Sequence, residues 1–149
     1  MSGEPAEEPL EPRTGWVRDH LRRYVATDGA EGHAWQAGLL ILLLTTRGRR
    51  SGRLRRTPLI YGRDGDRYVV VASYGGSPQH PDWYLNLRDD PDVTIQVGPE
   101  VVRARAGTAE GPERERLWKQ MTGIWPEYDD YQARTRRQIP IVTLEPVGP

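Results

Sequence analysis

Cysteine is absent from this sequence, which excludes a disulfide framework, a thiolate nucleophile and a cysteine-ligated zinc site. Net charge is absent too, because 21 basic side chains stand against 21 acidic ones. A chain so balanced is not a basic, DNA-coating protein as a whole. Lysine is almost missing: Lys119 is the sole one, and the remaining cations are arginine. His20, His33 and His80 are scattered without metal-ligand spacing, so no metal site is expected. The longest apolar run, Leu39 to Leu44, is far too short to span a bilayer. The opening MSGEPAEEPLEP is acidic and proline-rich, the reverse of a signal or transit peptide. These absences predict a cytoplasmic protein with no transmembrane segment.

A length of 149 residues suits one domain with a real core, and five tryptophans and seven tyrosines supply large surfaces to bury. Residues 1–12 read as a tail with little to bury, leaving 13–149 as the folded domain. Thr14 caps an expected helix running to about Tyr24, and TDGAEGHAWQAG then reads as a loop. Leu39 to Thr46 is continuously apolar, as in a strand buried on both faces. A second strand is expected from Pro58, a hairpin turn at Asp64 and Gly65, and a third strand over 67–73. YGGSPQHP forbids regular structure, and Pro81 opens a short helix carrying DWYLNLR. VTIQV and VVRARAG form a second hairpin. Thr108 opens a helix through PERERLWKQM, a short helix follows Pro126, and IPIVTLEP closes the chain as a strand in which Pro140 suggests an edge or a bulge. About six mostly antiparallel strands with a few short helices predict a mainly β (α+β) barrel rather than βαβ units.

One stretch stands out against the neutral whole. Six of the ten residues from Arg47 to Arg56 are arginine, with glycines at 48 and 52, beside the apolar LLILLL. A solvated hairpin loop would look like this. So would a phosphate-backbone patch, although no nucleic-acid motif accompanies it. So would a pocket for a polyanionic small molecule, because glycines let amides approach an anion and guanidinium forks bind phosphate and carboxylate. SYGGSP, one hairpin later, offers more amides and the Ser73 hydroxyl for the same cleft.

LLLTTRGRRSGRLRRTPLIY, DGDRYVVVASYGGSPQHPDWYLNLRDDPDVTIQV and WPEYDDYQARTRRQIPIVTLEP together resemble the deazaflavin-dependent nitroreductase family, small actinobacterial proteins that use coenzyme F-420. The resemblance runs from about residue 35 to 146. It implies a split β-barrel and reduced F-420 as hydride donor, with the arginine segment clamping the anionic tail of that cofactor. Arg49, Arg50 and Arg55 sit where family members place basic tail contacts. Pro58 and Leu59 fall on the ring-lining segment. Ala72, Ser73, Tyr74, Gly75 and Gly76 form the loop expected at phosphate and ring, and Trp83 packs nearby. Tyr74 stands where the family often has lysine. Ile60 and Trp125 stand where the best-known member has tyrosine, while Tyr128 and Tyr131 remain; these four positions line the substrate side.

A hydride donor carries the hard chemistry itself, so no acid–base dyad is required, and no Ser/His/Asp set is present. Ser73 and Tyr128 are the candidate catalytic residues: Ser73 hydrogen-bonds ring or substrate, and Tyr128 gives a proton or hydrogen bond to the reduced substrate. Tyr131 leans structural, His80 reads as a surface loop histidine, and RTRR (134–137) as a solvated helix end. The function expected is hydride transfer from F-420 to a quinone, enone or nitro compound, by a monomer or homodimer. An FMN-dependent oxidoreductase on the same barrel is the alternative enzyme; a cofactor carrier or nucleic-acid-binding module is the non-enzymatic alternative.

Overall fold

The computed structural model describes residue 9, residues 15–34 and residues 38–147. The acidic tail, Pro9 aside, and the Thr14 cap lie outside the described residues. The chain runs through α1 (Gly15–Ala26), β1 (Ile41–Arg47), β2 (Leu54–Ile60), β3 (Gly62–Asp64) and β4 (Arg67–Val71). It continues through α2 (Asp82–Asp89), β5 (Asp92–Val97), β6 (Glu100–Thr108), α3 (Gly111–Ile124), α4 (Glu127–Ala133) and β7 (Ile141–Pro146). The seven strands form one sheet in the order β2-β1-β5-β6-β7-β4-β3, every neighbour antiparallel. The sheet curls into a half-barrel: the hairpins predict a mainly β antiparallel barrel, and the resemblance implies its split form.

β1 is buried on both faces, as its unbroken apolar run requires. Leu42 and Leu44 point into the barrel with Val70, Ala72, Ile95 and Leu144, while Ile41 and Leu43 meet Leu21 and Tyr24 of α1 on the other side. Each fully buried leucine of this kind contributes about 1.5–3 kcal/mol. A further cluster joins Val69, Val71 and Ile141 to Leu117 and Met121 of α3 and Tyr128 of α4. α1 is fixed by Tyr24, whose hydroxyl accepts the Gly98 N–H at 2.6 Å and lies 3.0 Å from the Ile41 carbonyl. Burial pushes the Tyr24 pKa up to about 12.

The structure departs from the sequence reading in four places. The second strand begins at Leu54, inside the arginine run, so Arg55 and Arg56 are strand residues rather than loop residues. Its Pro58 is tolerated because β2 is an edge strand, paired with β1 alone. Tyr61 then breaks the strand, and the residues before the Asp64–Gly65 turn form a separate β3, giving seven strands instead of six. Pro140 is neither at an edge nor in a bulge: it precedes β7, an interior strand, and its carbonyl accepts the Ala72 N–H at 3.0 Å. Thr108 ends β6, and α3 starts at Gly111 behind Glu110.

Tyr61 links the two opposite edges of the sheet, β2 and β3, as a single residue between them. Its N–H donates to the Leu40 carbonyl at 3.0 Å, its hydroxyl lies 2.8 Å from His33 Nε2, and its ring meets Tyr68 edge-on. No helix among the described residues is long and apolar enough to cross a membrane.

Candidate active site

A cavity of about 510 Å³ opens between β2, the end of β4, α1, the start of α2 and the α3–α4 corner. Pro58, Leu59 and Ile60 form one wall as β2 runs along it, and Val71 and Ser73 approach from β4. Trp83 and Pro81 close one side; Trp125, Tyr128 and Tyr131 close another. The expected ring-lining and substrate-lining positions thus share one space, although they come from segments far apart in sequence.

The Ser73–Gly76 turn is shaped by its backbone. Tyr74, Gly75 and Gly76 all take positive φ, at 47°, 61° and 80°. A left-handed tyrosine is unfavourable, and its side chain is 61% exposed at the cavity rim. Gly75 has open space where a side chain would be, so a ligand can approach its backbone. Gly76 is different: it backs onto α4, where a Cβ would fall 2.7 Å from the Tyr131 carbonyl, and its N–H is spent on the Ser73 carbonyl at 2.9 Å. Ala72 likewise stands behind the wall. Its side chain is buried in the barrel core and its N–H goes to Pro140. Ala72 and Gly76 therefore support the site without lining it.

The arginines line two grooves beside the cavity rather than the cavity itself. Gly48, Arg49, Arg50, Ser51 and Arg55 surround one of about 190 Å³. Arg49, Arg50, Gln79, His80 and Arg137 surround another of about 500 Å³, and Asp82 borders both. Arg49 is held in place: its guanidinium donates to Asn86 Oδ1 at 3.0 Å and sits 3.4 Å from the Asp82 carboxylate. Arg50 and Arg55, both exposed, line the groove and make no side-chain hydrogen bond or ion pair among the described residues.

Tyr128 is 4% exposed, packed between Trp118 and Tyr131, yet its hydroxyl makes no hydrogen bond among the described residues. Burial, helped by Tyr131, pushes its pKa up, so it stays protonated at neutral pH. Tyr131 turns its hydroxyl away to Glu127 Oε2 at 2.9 Å, leaving only its ring to the cavity.

Several residues at the site escape the sequence reading. Asn86 is buried at 2% exposure; its Oδ1 accepts the Arg49 N–H at 3.2 Å and its Nδ2 donates to Thr46 Oγ1 at 3.4 Å. The signal for it is a lone amide on the apolar face of DWYLNLR. Val17 and His20 bring α1 to the cavity, and no local pattern announces this. Arg137 is no solvated helix end: its guanidinium enters the loop after β4 and donates to three carbonyls there. His80 is not a free surface residue either, since its Nδ1 lies 3.1 Å from Arg137 Nη1 and its ring rests on Tyr84. Burial, then Arg137 and Arg88, lower its pKa.

The residues present fit a deazaflavin. An apolar wall offers a ring surface, Gly75 leaves room at the turn, and two arginines with no partner among the described residues line a groove where an anionic tail would lie.

Comparisons with known proteins agree. A family model described as F420H(2)-dependent quinone reductase matches residues 16–146. An F420H(2)-dependent quinone reductase of Mycobacterium tuberculosis is 42% identical over 131 residues, covering 86% of this chain and 88% of that protein. A solved F420-H2 dependent reductase is 42% identical with a TM-score of 0.66, over 70% of this chain and 93% of its own. A solved domain-swapped dimer is 38% identical with a TM-score of 0.69, over 87% of this chain and 97% of its own. The heme storage protein HutZ of Vibrio cholerae, 18% identical with a TM-score of 0.55 over 73% of this chain and 82% of its own, shares the fold. The matches carry the deazaflavin dependence that the sequence motifs suggest, under the name of quinone rather than nitro-compound reduction. The chain belongs to the F420H(2)-dependent quinone reductase family, oxidoreductases whose cofactor is reduced coenzyme F-420.

Proposed function

We propose that this protein reduces quinones with F-420 in the cavity between β2 and the α3–α4 corner. The observation that supports the reading is an apolar cavity with Tyr128 in its wall, beside a groove lined by Arg50 and Arg55, the two meeting along Pro81–Trp83. When bound, reduced F-420 supplies two electrons as a hydride. Pro58, Leu59, Ile60 and Trp83 would hold the ring, Ser73 and Gly75 would meet its polar edge, and Arg49, Arg50 and Arg55 would hold the tail. The apolar wall keeps water from the reacting atoms. Tyr128 Oη donates a hydrogen bond to the acceptor oxygen as that oxygen gains charge. Its raised pKa makes it a donor rather than a strong acid, so the hydroquinone takes its final proton from solvent.

The test is a titration with F-420 and, separately, with FMN at two salt concentrations, followed by oxidation of reduced F-420 with menadione. F-420 should bind more tightly than FMN, and more weakly as salt rises, because near-surface ionic contacts are screened over roughly 8 Å at physiological ionic strength. Enones and nitro compounds enter the same assay, with the quinone expected to turn over fastest. Equal, salt-insensitive binding of both cofactors, or no turnover of menadione, overturns the reading.

A further inference from the structure

The turn that carries Ser73 is poorly braced by itself. Three consecutive residues in it have positive φ, and among the described residues two backbone bonds cross it, Gly76 N–H to Ser73 and Ser77 N–H to Tyr74. A tyrosine in the left-handed region persists only where its surroundings impose it. Arg137 is what fills the loop. Its Nε donates to the Ser77 carbonyl at 2.8 Å, Nη2 to the Ser73 carbonyl at 2.7 Å, and Nη1 to the Ala72 carbonyl at 3.2 Å and His80 Nδ1 at 3.1 Å. No carboxylate pairs with this half-buried guanidinium among the described residues, so its charge strengthens these bonds instead.

The other end of Arg137 is fixed to α4. Gln132 Nε2 donates to the Arg137 carbonyl at 2.8 Å, while Gln132 Oε1 accepts the Ile139 N–H at 2.9 Å. Thr135 Oγ1 accepts the Arg137 N–H at 3.4 Å. α4 carries Tyr128 and Tyr131 and packs directly against this turn, with the Tyr131 backbone at Gly76. We propose that Arg137 is a positioning residue: it holds the Ser73–Gly76 turn from within and ties it to the α4 end it packs against, so that Ser73 and Tyr128 keep one placement relative to each other. A planar fork is required, because a lysine presents its donors from one point and cannot reach four acceptors around a loop.

The inference rests on the proposed reaction only for its kinetic arm. Hydrogen exchange of the Gly76 and Ser77 amides is followed in cofactor-free protein, for wild type, Arg137→Gln, Arg137→Lys and the neighbouring exposed Arg136→Gln. The core amide of Val70 reports global unfolding. Both Arg137 variants should lose about tenfold or more in protection at Gly76 and Ser77, the worth of a single charge-assisted bond, with Val70 and Arg136→Gln unchanged. With menadione, kcat should fall and the acceptor KM rise in both, by about tenfold combined, and F-420 should bind more weakly in both because Ser73 and Gly75 meet its ring. Unchanged turn protection in Arg137→Gln, or full restoration by Arg137→Lys, overturns the proposal. Wild-type protein that neither binds F-420 nor reduces menadione overturns the proposed reaction instead, and the exchange comparison still decides the brace.

Discussion

At the scale of single residues, two tyrosines three positions apart do different things. Tyr128 keeps an unbonded hydroxyl in the cavity wall, while Tyr131 has committed its own to Glu127. Tyr128→Phe keeps the packing and removes the donor. In steady-state assays kcat should fall by one to two powers of ten, about 1.4–2.7 kcal/mol, with F-420 affinity and Tm nearly unchanged. Tyr131→Phe should stay within a few-fold of wild type. Asp82 is the carboxylate that dilutes the basic grooves, 81% exposed and 3.4 Å from Arg49. Asp82→Asn should tighten F-420 binding two- to fivefold, about 0.4–1 kcal/mol, in a low-salt fluorescence titration, with the gain shrinking as salt rises. Ser73, Tyr128 and the arginines stand out in the sequence through the motifs that carry the resemblance, and the structure puts the first two on one cavity and the arginines on a groove beside it. Asn86 and Arg137 were not. Their partners lie 37 and up to 65 residues away, so the contacts exist only once the barrel has formed.

At the scale of elements, the turn after β4 and helix α4 are pressed together at Gly76. Gly76→Ala requires a left-handed alanine and pushes the Tyr131 backbone, which cannot rotate aside. It should destabilise by about 2 kcal/mol or more, seen as a Tm lower by roughly 4–8 °C, and should depress kcat because Tyr128 moves with α4. Gly75→Ala, with open space at the same kind of φ, should cost only about 1 kcal/mol. The strands were readable wherever hydrophobic alternation or an Asp-Gly turn spoke locally, as in β1, β5, β6 and the β3–β4 hairpin. Their ends were not. Arginine and proline argue against a strand, yet β2 accepts Arg55, Arg56 and Pro58 because an edge has one ladder to satisfy and one side open to solvent.

At the scale of the molecule, a chain of zero net charge keeps its charges in separate groups. One group braces the face of α3. Asp64 sits between Arg116 at 2.9 Å and Arg67, which also reaches Glu113 at 3.2 Å. Hydrogen bonds from Arg116 and Arg67 hold the Asp64 carboxyl well below the usual carboxylate range. A depressed pKa means that the stabilisation is complete above the unfolded value, about 3.9, and is lost as pH falls below it. Denaturant unfolding from pH 7 down to 3 should show wild type losing stability at the acid end, with the loss smaller in Asp64→Asn. The same slope in both would assign acid sensitivity to other carboxylates.

The passage from β2 to β3 through Tyr61 closes one end of the gap between the two edges of the sheet. At Tyr61 the first and last strands of the sheet are joined by the chain itself, and Gly62 pairs at once with Val69 of β4. Traced backwards from there, β2 leaves β4 behind: Ile60, Leu59 and Pro58 face Val71 and Ser73 across the cavity, and beyond them the strand reaches the arginine turn. One end is closed by the chain itself at Tyr61, while the other leads toward the turn where Asn86 and Asp82 hold Arg49. Such a socket has a polarity. On the proposed reading a flat, uncharged head would belong between β2 and the turn and a charged tail would belong at the arginines, so shape and charge together would set one orientation.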